Sequence, residues 1–468
     1  MDKEIILKQV TEQEKRFIEQ VYEHKQEHLL NHWEELSEQE KRHFLEQINA
    51  IDFEELTQLK KQLGKQTSFS GKLEPLPAID VNAHPQKQLA LQKGEELLSQ
   101  GKVACFVVAG GQGTRLGYNG PKGCHPITPV KHKSLFQVFA EKIIALQRTY
   151  DTKLPWYIMT SEATDAATKA FFHQHTNFGL EHIFFIQQGI IPTLDKSGKL
   201  LLADKNKILT HPNGHGGALQ ALQHVIPELK KKGIEYVFYF QVDNVLSVVA
   251  DPIFLGYHVL YHADVSTKAV EKTDPQEKVG ILAFIDGKPG IVEYSDMSEK
   301  QKNLRDKKGK LVFNAGNIAE HIFSLDFLET LEKKSAQLPF HRVDKKIFHF
   351  SNGKIQEEEA VKFETFIFDV LSHTRNTITL LVDRASAFAP LKNKEGEKSA
   401  AWVEQAQTTL FATWLEAAGV NVPRKKDNAP DCTLEISPAY ALNKEDFIKK
   451  LAFKAFTLKP GQKKYFGP

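Results

Sequence analysis

One short segment narrows the choice of fold more than any total does. Val103-Ala104-Cys105-Phe106-Val107-Val108-Ala109 is an unbroken apolar run that ends in Gly110-Gly111-Gln112-Gly113. A short apolar run stopped by glycines is a strand buried on both faces, as in a parallel sheet covered by helices. Comparable runs follow at Trp156-Tyr157-Ile158-Met159, at His182-Ile183-Phe184-Phe185-Ile186 and, most apolar of all, at 236–242. Helical stretches at 136–148 and 217–232 lie between them. Strand–helix alternation predicts an α/β sandwich. Residues 279–293 and 311–323 alternate in a way that predicts an added, partly antiparallel sheet.

The flanks differ in character. Residues 1 to about 65 are rich in Glu, Lys and Gln, with Leu29, Leu30, Trp33 and Leu36, then Phe44, Leu45, Ile48 and Ile51, at helical spacing. Ser37-Glu38-Gln39-Glu40 has the form of a capping box, and Asp52-Phe53-Glu54-Glu55 resembles it. Such a segment predicts helices with a solvated face over a small apolar stripe. Residues 66–85 carry Ser, Gly and three prolines and read as a linker. The predicted division is a helical segment and linker over 1–85, a main α/β domain over 86–400, and a small lobe over 401–468 with one helix at 401–418. Residues 393–400 read as an exposed loop.

Composition excludes some classes of function. Among 468 residues, 61 basic side chains face 59 acidic ones, which argues against a general polyanion or nucleic-acid binder. No apolar run reaches about 18 residues, so no transmembrane helix is expected. Met1-Asp2-Lys3-Glu4 lacks the apolar stretch of a signal peptide. Cys105, Cys124 and Cys432 are too few for a disulfide framework or zinc cluster. A cytoplasmic protein with reduced thiols is the expectation. His173, His175, His211 and His258 show no metal-ligand spacing.

The segment after the first buried strand carries the chemistry. In Gly110-Gly111-Gln112-Gly113-Thr114-Arg115-Leu116-Gly117, glycines permit a sharp turn and a close backbone approach to a ligand. Successive N–H groups of such a loop can cradle anionic oxygens. Arg115 adds a bidentate fork, and Lys122 adds a second cation. No Gly-Lys-Ser/Thr ends the loop, so it is not a Walker A motif. Leu116 stands at the third glycine position of the dinucleotide fingerprint, which disfavours a dehydrogenase. Both cations follow a strand end, where α/β sheets bind ligands, so a phosphate site is predicted. Asp243 directly follows the most apolar strand, where a carboxylate could hold Mg²⁺ or instead cap a helix. Asp251, before Pro252, reads as a turn or cap residue.

Gly110–Gly117 with Pro121-Lys122-Gly123 resembles the signature of eukaryotic-type UDP-N-acetylglucosamine pyrophosphorylases and related UDP-sugar pyrophosphorylases. The resemblance continues through Pro155–Ser161, Gln187-Gln188-Gly189, Val242-Asp243-Asn244, Val292-Glu293-Tyr294-Ser295, Phe313–Ile318, Phe366–Asp369, Pro390–Asn393 and Glu435–Pro438. It implies a Rossmann-like, GT-A-like nucleotidyltransferase fold. It also implies a uridylyltransferase that joins UTP to a sugar 1-phosphate and releases pyrophosphate. Its substrates would be its partners, with no nucleic acid, no membrane and an oligomeric state left open. Residue by residue, Arg115, Lys122 and Lys392 would act on the phosphates, with Lys362 also reaching them. Gly110 and Gly111 would hold the uridine, Gln188 would read uracil, and Gly214 would approach the base. Glu293 and Asn317, or alternatively Asn314, would bind the sugar. Asp243 would hold Mg²⁺ (or Mn²⁺).

This chain departs from the pattern at His215 in Asn213-Gly214-His215-Gly216-Gly217, where the animal N-acetylglucosamine enzymes carry Asn. A Gly-His-Gly form resembles pyrophosphorylases that use glucose or several sugars. N-acetylglucosamine 1-phosphate is the leading acceptor, and glucose or galactose 1-phosphate the alternative. A non-catalytic nucleotide-sugar binder is the reading from a different class.

Overall fold

A computed structural model describes residues 3–64, 71–451 and 456–468. The chain forms two compact units, each assembled from separated segments. One comprises 1–69, 189–217 and 337–367. The other comprises 70–188, 218–336 and 368–468.

The larger unit is built on a mixed sheet that has eleven strands among the described residues. In chain order they are β1 (Leu73–Pro75), β2 (Ile79–Asp80), β3 (Val103–Val108), β4 (Trp156–Thr160), β5 (Ile183–Gln187), β6 (Tyr236–Gln241), β7 (Val265–Glu271), β8 (Ile281–Ile285), β9 (Lys288–Val292), β10 (Ala315–Ser324) and β11 (Thr377–Val382). The main path runs β2-β11-β7-β10-β6-β3-β4-β5. Every neighbouring pair on it is parallel except where β10 runs antiparallel between β6 and β7. The apolar runs behave as expected of strands covered on both faces, with Val103–Val107 and Trp156–Met159 all buried. On one face the helices Lys87–Ser99 and Pro252–Leu260 cross at backbone contact. A Cβ on Gly94 would collide with the Pro252 carbonyl, and one on Gly256 with the Ala90 carbonyl.

Three expectations need correction here. The predicted linker contributes β1 and β2, because Leu73 pairs with Ile285 and Ile79 with Leu380; its residues 66–70 lie outside the described residues. The antiparallel strands β8, β9 and β10 form no sheet of their own, since Ile281 pairs with Gly316 and merges them into the central one. The segment at Leu29–Leu36 is not an α-helix but two 3-10 turns, Glu27–Leu30 and Trp33–Glu35.

The C-terminal part holds the helix Ala400–Ala417 and two parallel strands, Cys432–Ile436 and Gln462–Phe466. They close over an apolar cluster that includes Leu434, Phe447 and Phe466. This part falls within the larger unit.

The smaller unit packs helices Glu12–Glu23, Glu38–Asn49 and Phe53–Leu63 on a sheet dominated by the hairpin His341–Ser351/Lys354–Glu364. Phe17, Phe44, Ile48, Leu56 and Leu59 meet Val361 and Phe363 in one core. The Ser37 capping box is formed in full, and Asp52 caps by its side chain. Buried Gln26 accepts from Leu200 N–H (2.7 Å) and donates to the Gly198 carbonyl (3.1 Å), which ties two distant segments together. No helix among the described residues is long and apolar enough to cross a membrane.

Candidate active site

Parallel pairing brings the C-terminal ends of β3, β4, β5 and β6 to one edge, where the glycine loop leaves β3. Gly110 is wedged there. A Cβ on it would collide with Gln188 Oε1 and lie 3.3 Å from Ser161 Cβ. Ser161 Oγ donates to the Gly110 carbonyl at 2.7 Å, and Gln188 N–H donates to the Thr160 carbonyl at 2.8 Å. Gly110 and the buried Gln188 are therefore in contact. Ser161 is a partner that motif reasoning quoted without assigning a task.

Gly111 differs: a Cβ there would meet nothing within 4 Å. Packing does not demand this glycine, so the open space at its Cα is room for something else. The loop closes on itself. Lys122 N–H donates to the Gly111 carbonyl (3.0 Å), and Gly113 N–H donates to Gly120 (2.8 Å). Arg115 sits on the 3-10 turn Thr114–Leu116, anchored by buried Leu116 and ended by Gly117 at φ +72°. Its exposed guanidinium has no hydrogen bond or ion pair among the described residues.

Asp243 lies two residues past β6 and is almost fully buried. Its Oδ2 is 2.6 Å from Lys392 Nζ and 3.4 Å from Lys122 Nζ. Burial alone would raise its pKa, but Lys392 and Lys122 outweigh that and hold it below the usual carboxylate range. Lys122 Nζ also lies 3.4 Å from the Leu391 carbonyl. Asp243 is no helix cap; Asp251 is, accepting from Ile253 N–H at 3.0 Å. Three residues far apart in sequence thus form one charge cluster with two cations on one anion. Among the described residues, no group of three His, Cys, Asp or Glu side chains could hold a metal ion by itself.

Glu293 and Asn317 meet around Gly280. Asn317 N–H donates to the Gly280 carbonyl at 2.8 Å, and a Cβ on Gly280 would lie 3.4 Å from Glu293 Oε1. Asn317 Oδ1 accepts from Ala319 N–H at 2.9 Å and fixes a bulge in which Ala319 takes φ +57°. Asn314 contributes its backbone carbonyl to Lys272 N–H (2.7 Å).

Gly214, His215 and Lys362 belong to the smaller unit. Gly214 has φ +81°, and a Cβ on it would sit 2.5 Å from the Thr365 carbonyl, so packing accounts for this glycine. His215 stacks on Phe366 with centroids 5.1 Å apart, and its Nδ1 accepts from Ile367 N–H at 3.2 Å. Lys362 lies on the long hairpin, where burial first and Lys345 second lower its pKa. The unassigned histidines have structural tasks. His258 is held between the hydroxyls of Ser266 and Ser324, and His211 between Thr193 Oγ1 and the Phe363 carbonyl.

Residues 51–430 match the family described as UTP--glucose-1-phosphate uridylyltransferase. The UDP-N-acetylglucosamine pyrophosphorylase of Saccharomyces cerevisiae is 35% identical over 85% of this chain and 90% of its own length. The UDP-N-acetylglucosamine diphosphorylase 2 of Arabidopsis thaliana is 34% identical over 86% of this chain and 85% of its own. Among solved structures, the uridine diphosphate N-acetylglucosamine pyrophosphorylase of Trypanosoma brucei, crystallised with an inhibitor, superposes with a TM-score of 0.80. It is 25% identical and covers 98% of this chain and 99% of its own.

Proposed function

The chain belongs to the UTP--glucose-1-phosphate uridylyltransferase family, and on that premise we propose its reaction in detail. It is a uridylyltransferase that makes a UDP-sugar and pyrophosphate from UTP and a sugar 1-phosphate, with N-acetylglucosamine 1-phosphate the favoured acceptor. A phosphate oxygen of the sugar 1-phosphate attacks the α-phosphorus of UTP. The bond from that phosphorus to the bridging oxygen breaks, and pyrophosphate leaves with the electron pair. Such a transfer needs alignment and charge neutralisation more than a nucleophilic side chain.

The observation that carries the reading is the cluster of Lys122, Lys392 and Asp243, with Lys122 tied through its backbone N–H to the carbonyl of Gly111 in the glycine loop. Lys122, Lys392 and Arg115 neutralise the triphosphate and the departing pyrophosphate. Gln188 reads uracil by its amide, and the backbone at Gly110 and Gly111 holds the uridine. Gly214 keeps the backbone role toward the base that the family resemblance assigns it. Glu293 and Asn317 take the sugar hydroxyls, since one accepts and the other keeps an amide N–H₂ to donate. Lys362 is a further phosphate contact. A single buried carboxylate fits Mg²⁺ or Mn²⁺, which bind through one carboxylate with water and phosphate oxygens. Asp243 would hold the ion, which supplies charge neutralisation between the two phosphates. The parallel run β5-β4-β3-β6 with its glycine loop supports a GT-A-like, Rossmann-like reading of the sheet.

The test is pyrophosphate release from UTP and Mg²⁺ with N-acetylglucosamine, glucose and galactose 1-phosphates. Preference for the N-acetylated sugar is the expected result. Preference for glucose or galactose would sink that choice and direct attention to His215, whose conversion to Asn should then restore use of the acetamide. No release with any sugar would favour a binding protein instead.

A further inference from the structure

Lys392 reaches Asp243 from the far end of a segment that returns to the site more than a hundred residues later. A lysine on a flexible four-carbon stem loses rotamer freedom when ordered, so the position of its backbone matters. That backbone is held by the residue next to Asp243. Asn244 is buried, and its carboxamide uses both ends. Its Nδ2 donates to the Ala387 carbonyl at 2.7 Å, and its Oδ1 accepts from Ala389 N–H at 3.0 Å. Leu391 N–H donates to the Asp243 carbonyl at 2.9 Å. Downstream, Lys392 N–H donates to the Lys398 carbonyl at 2.8 Å.

Behind Asn244 stands a buried ion network. Its Nδ2 lies 3.4 Å from Glu320 Oε1. Glu320 Oε2 lies 3.1 Å from Lys268 Nζ, close enough for an ion pair though not aligned as a hydrogen bond. Lys268 Nζ is also 3.0 Å from Asp251 Oδ2. Glu320 follows the bulge fixed by Asn317. The position therefore asks for one planar group that donates toward a carbonyl and a carboxylate and accepts from an N–H. The amide of Asn does both at fixed geometry and without charge.

We propose that Asn244 is a positioning residue for uridylyl transfer, clamping the 387–392 segment so that Lys392 stays seated on Asp243. The proposal rests on the reading that Lys392 serves the phosphates. Its test is a double-variant cycle on the full chain, with Asn244→Ala, Lys392→Ala and the pair, reading kcat, KM for UTP and Tm. Asn244→Ala should lower kcat by roughly 10- to 100-fold, the scale of a misplacement near 1 Å. In the Lys392→Ala background the same change should cost less than about threefold, because the lysine it positions is gone. A merely structural role would multiply the two penalties, and that outcome overturns the clamp. Parental turnover in folded Asn244→Ala overturns it as well. Parental turnover in Lys392→Ala alone overturns the phosphate reading and the clamp together. Should Asn244→Ala fail to fold, Asn244→Ser, which adds no charge and is too short to span both Ala387 and Ala389, is judged by the same cycle.

Discussion

Two glycine-rich loops in this molecule look alike as text and differ in cause. At 213–217, every glycine is explained by protein neighbours. A Cβ on Gly214 or Gly216 would run into Thr365, and one on Gly217 into the Asn213 side chain. At 110–113 the causes split. Gly110 is required by Gln188 and Ser161, whereas Gly111 borders empty space. Packing demands Gly110 and the glycines of 213–217, whereas Gly111 is free of that demand and leaves its Cα open to a close approach. The comparison teaches that glycine content alone does not locate a site: Gly64 and Gly287 also border open space, and it is the strand end and the tie to Lys122 that single out Gly111.

The largest effect that would sharpen this contrast comes from the charges proposed to serve the phosphates at the first loop. Asp243→Asn or Arg115→Ala should lower kcat/KM for pyrophosphate release by on the order of 100-fold; Tm should stay near parental for exposed Arg115→Ala and fall for Asp243→Asn, which strips Lys392 and Lys122 of their shared buried anion. Comparable turnover in either variant would break the assignment of the first loop. Next is Gly214→Ala, which forces an L side chain into φ +81° against a carbonyl. Denaturant unfolding should show a loss of about 2 kcal/mol or more. Gly111→Ala should leave Tm within about 1 °C and raise KM for UTP roughly five- to tenfold, because the added methyl takes the space left for close backbone approach. A large fall in Tm for Gly111→Ala, or none for Gly214→Ala, would reverse the comparison.

The smallest effect concerns pH. Burial pushes the pKa of His211 down to about 4 and that of His258 down to about 3 from an ordinary value of 6.5. Both are neutral in the fold, and each gains a proton near 6.5 when unfolded. Their contribution is fully present above pH 6.5 and is lost as pH falls toward the folded values, at up to about 1.4 kcal/mol per unit for each. Denaturant midpoints at pH 7 and pH 5.5 should differ accordingly, and His258→Gln should flatten the slope. An unchanged slope would remove His258 from the account.

Much of the larger unit was legible because its strands are covered on both faces. Val103–Val108 and Tyr236–Gln241 announce themselves as apolar runs, and the loop after the first carries its cations openly. The hairpin 341–364 was not legible. It presents Asp344, Lys345 and Lys346 opposite Val361, Ala360 and Glu359, so charge masks the alternation that burial of one face would leave. Nor could spacing tell 3-10 turns from an α-helix at Leu29–Leu36, since both repeat near every third residue. The site was half visible. Lys122 and Asp243 follow strand ends, but Lys392 has no such local signal: only the family resemblance named it, and only the fold shows its 2.6 Å contact with Asp243.

The divided build of the smaller unit has a consequence for the nascent chain. Its first helices bury Phe44, Leu56 and Leu59 against Val361 and Phe363, which leave the ribosome roughly 300 residues later. At about 5–20 residues per second, those apolar stripes wait some 15–60 s for their partner strand. During that interval the segment presents the amphipathic surface that chaperones hold and that aggregates recruit. Yield in a cell should therefore respond to translation speed and chaperone supply more than the stability of the finished fold would suggest.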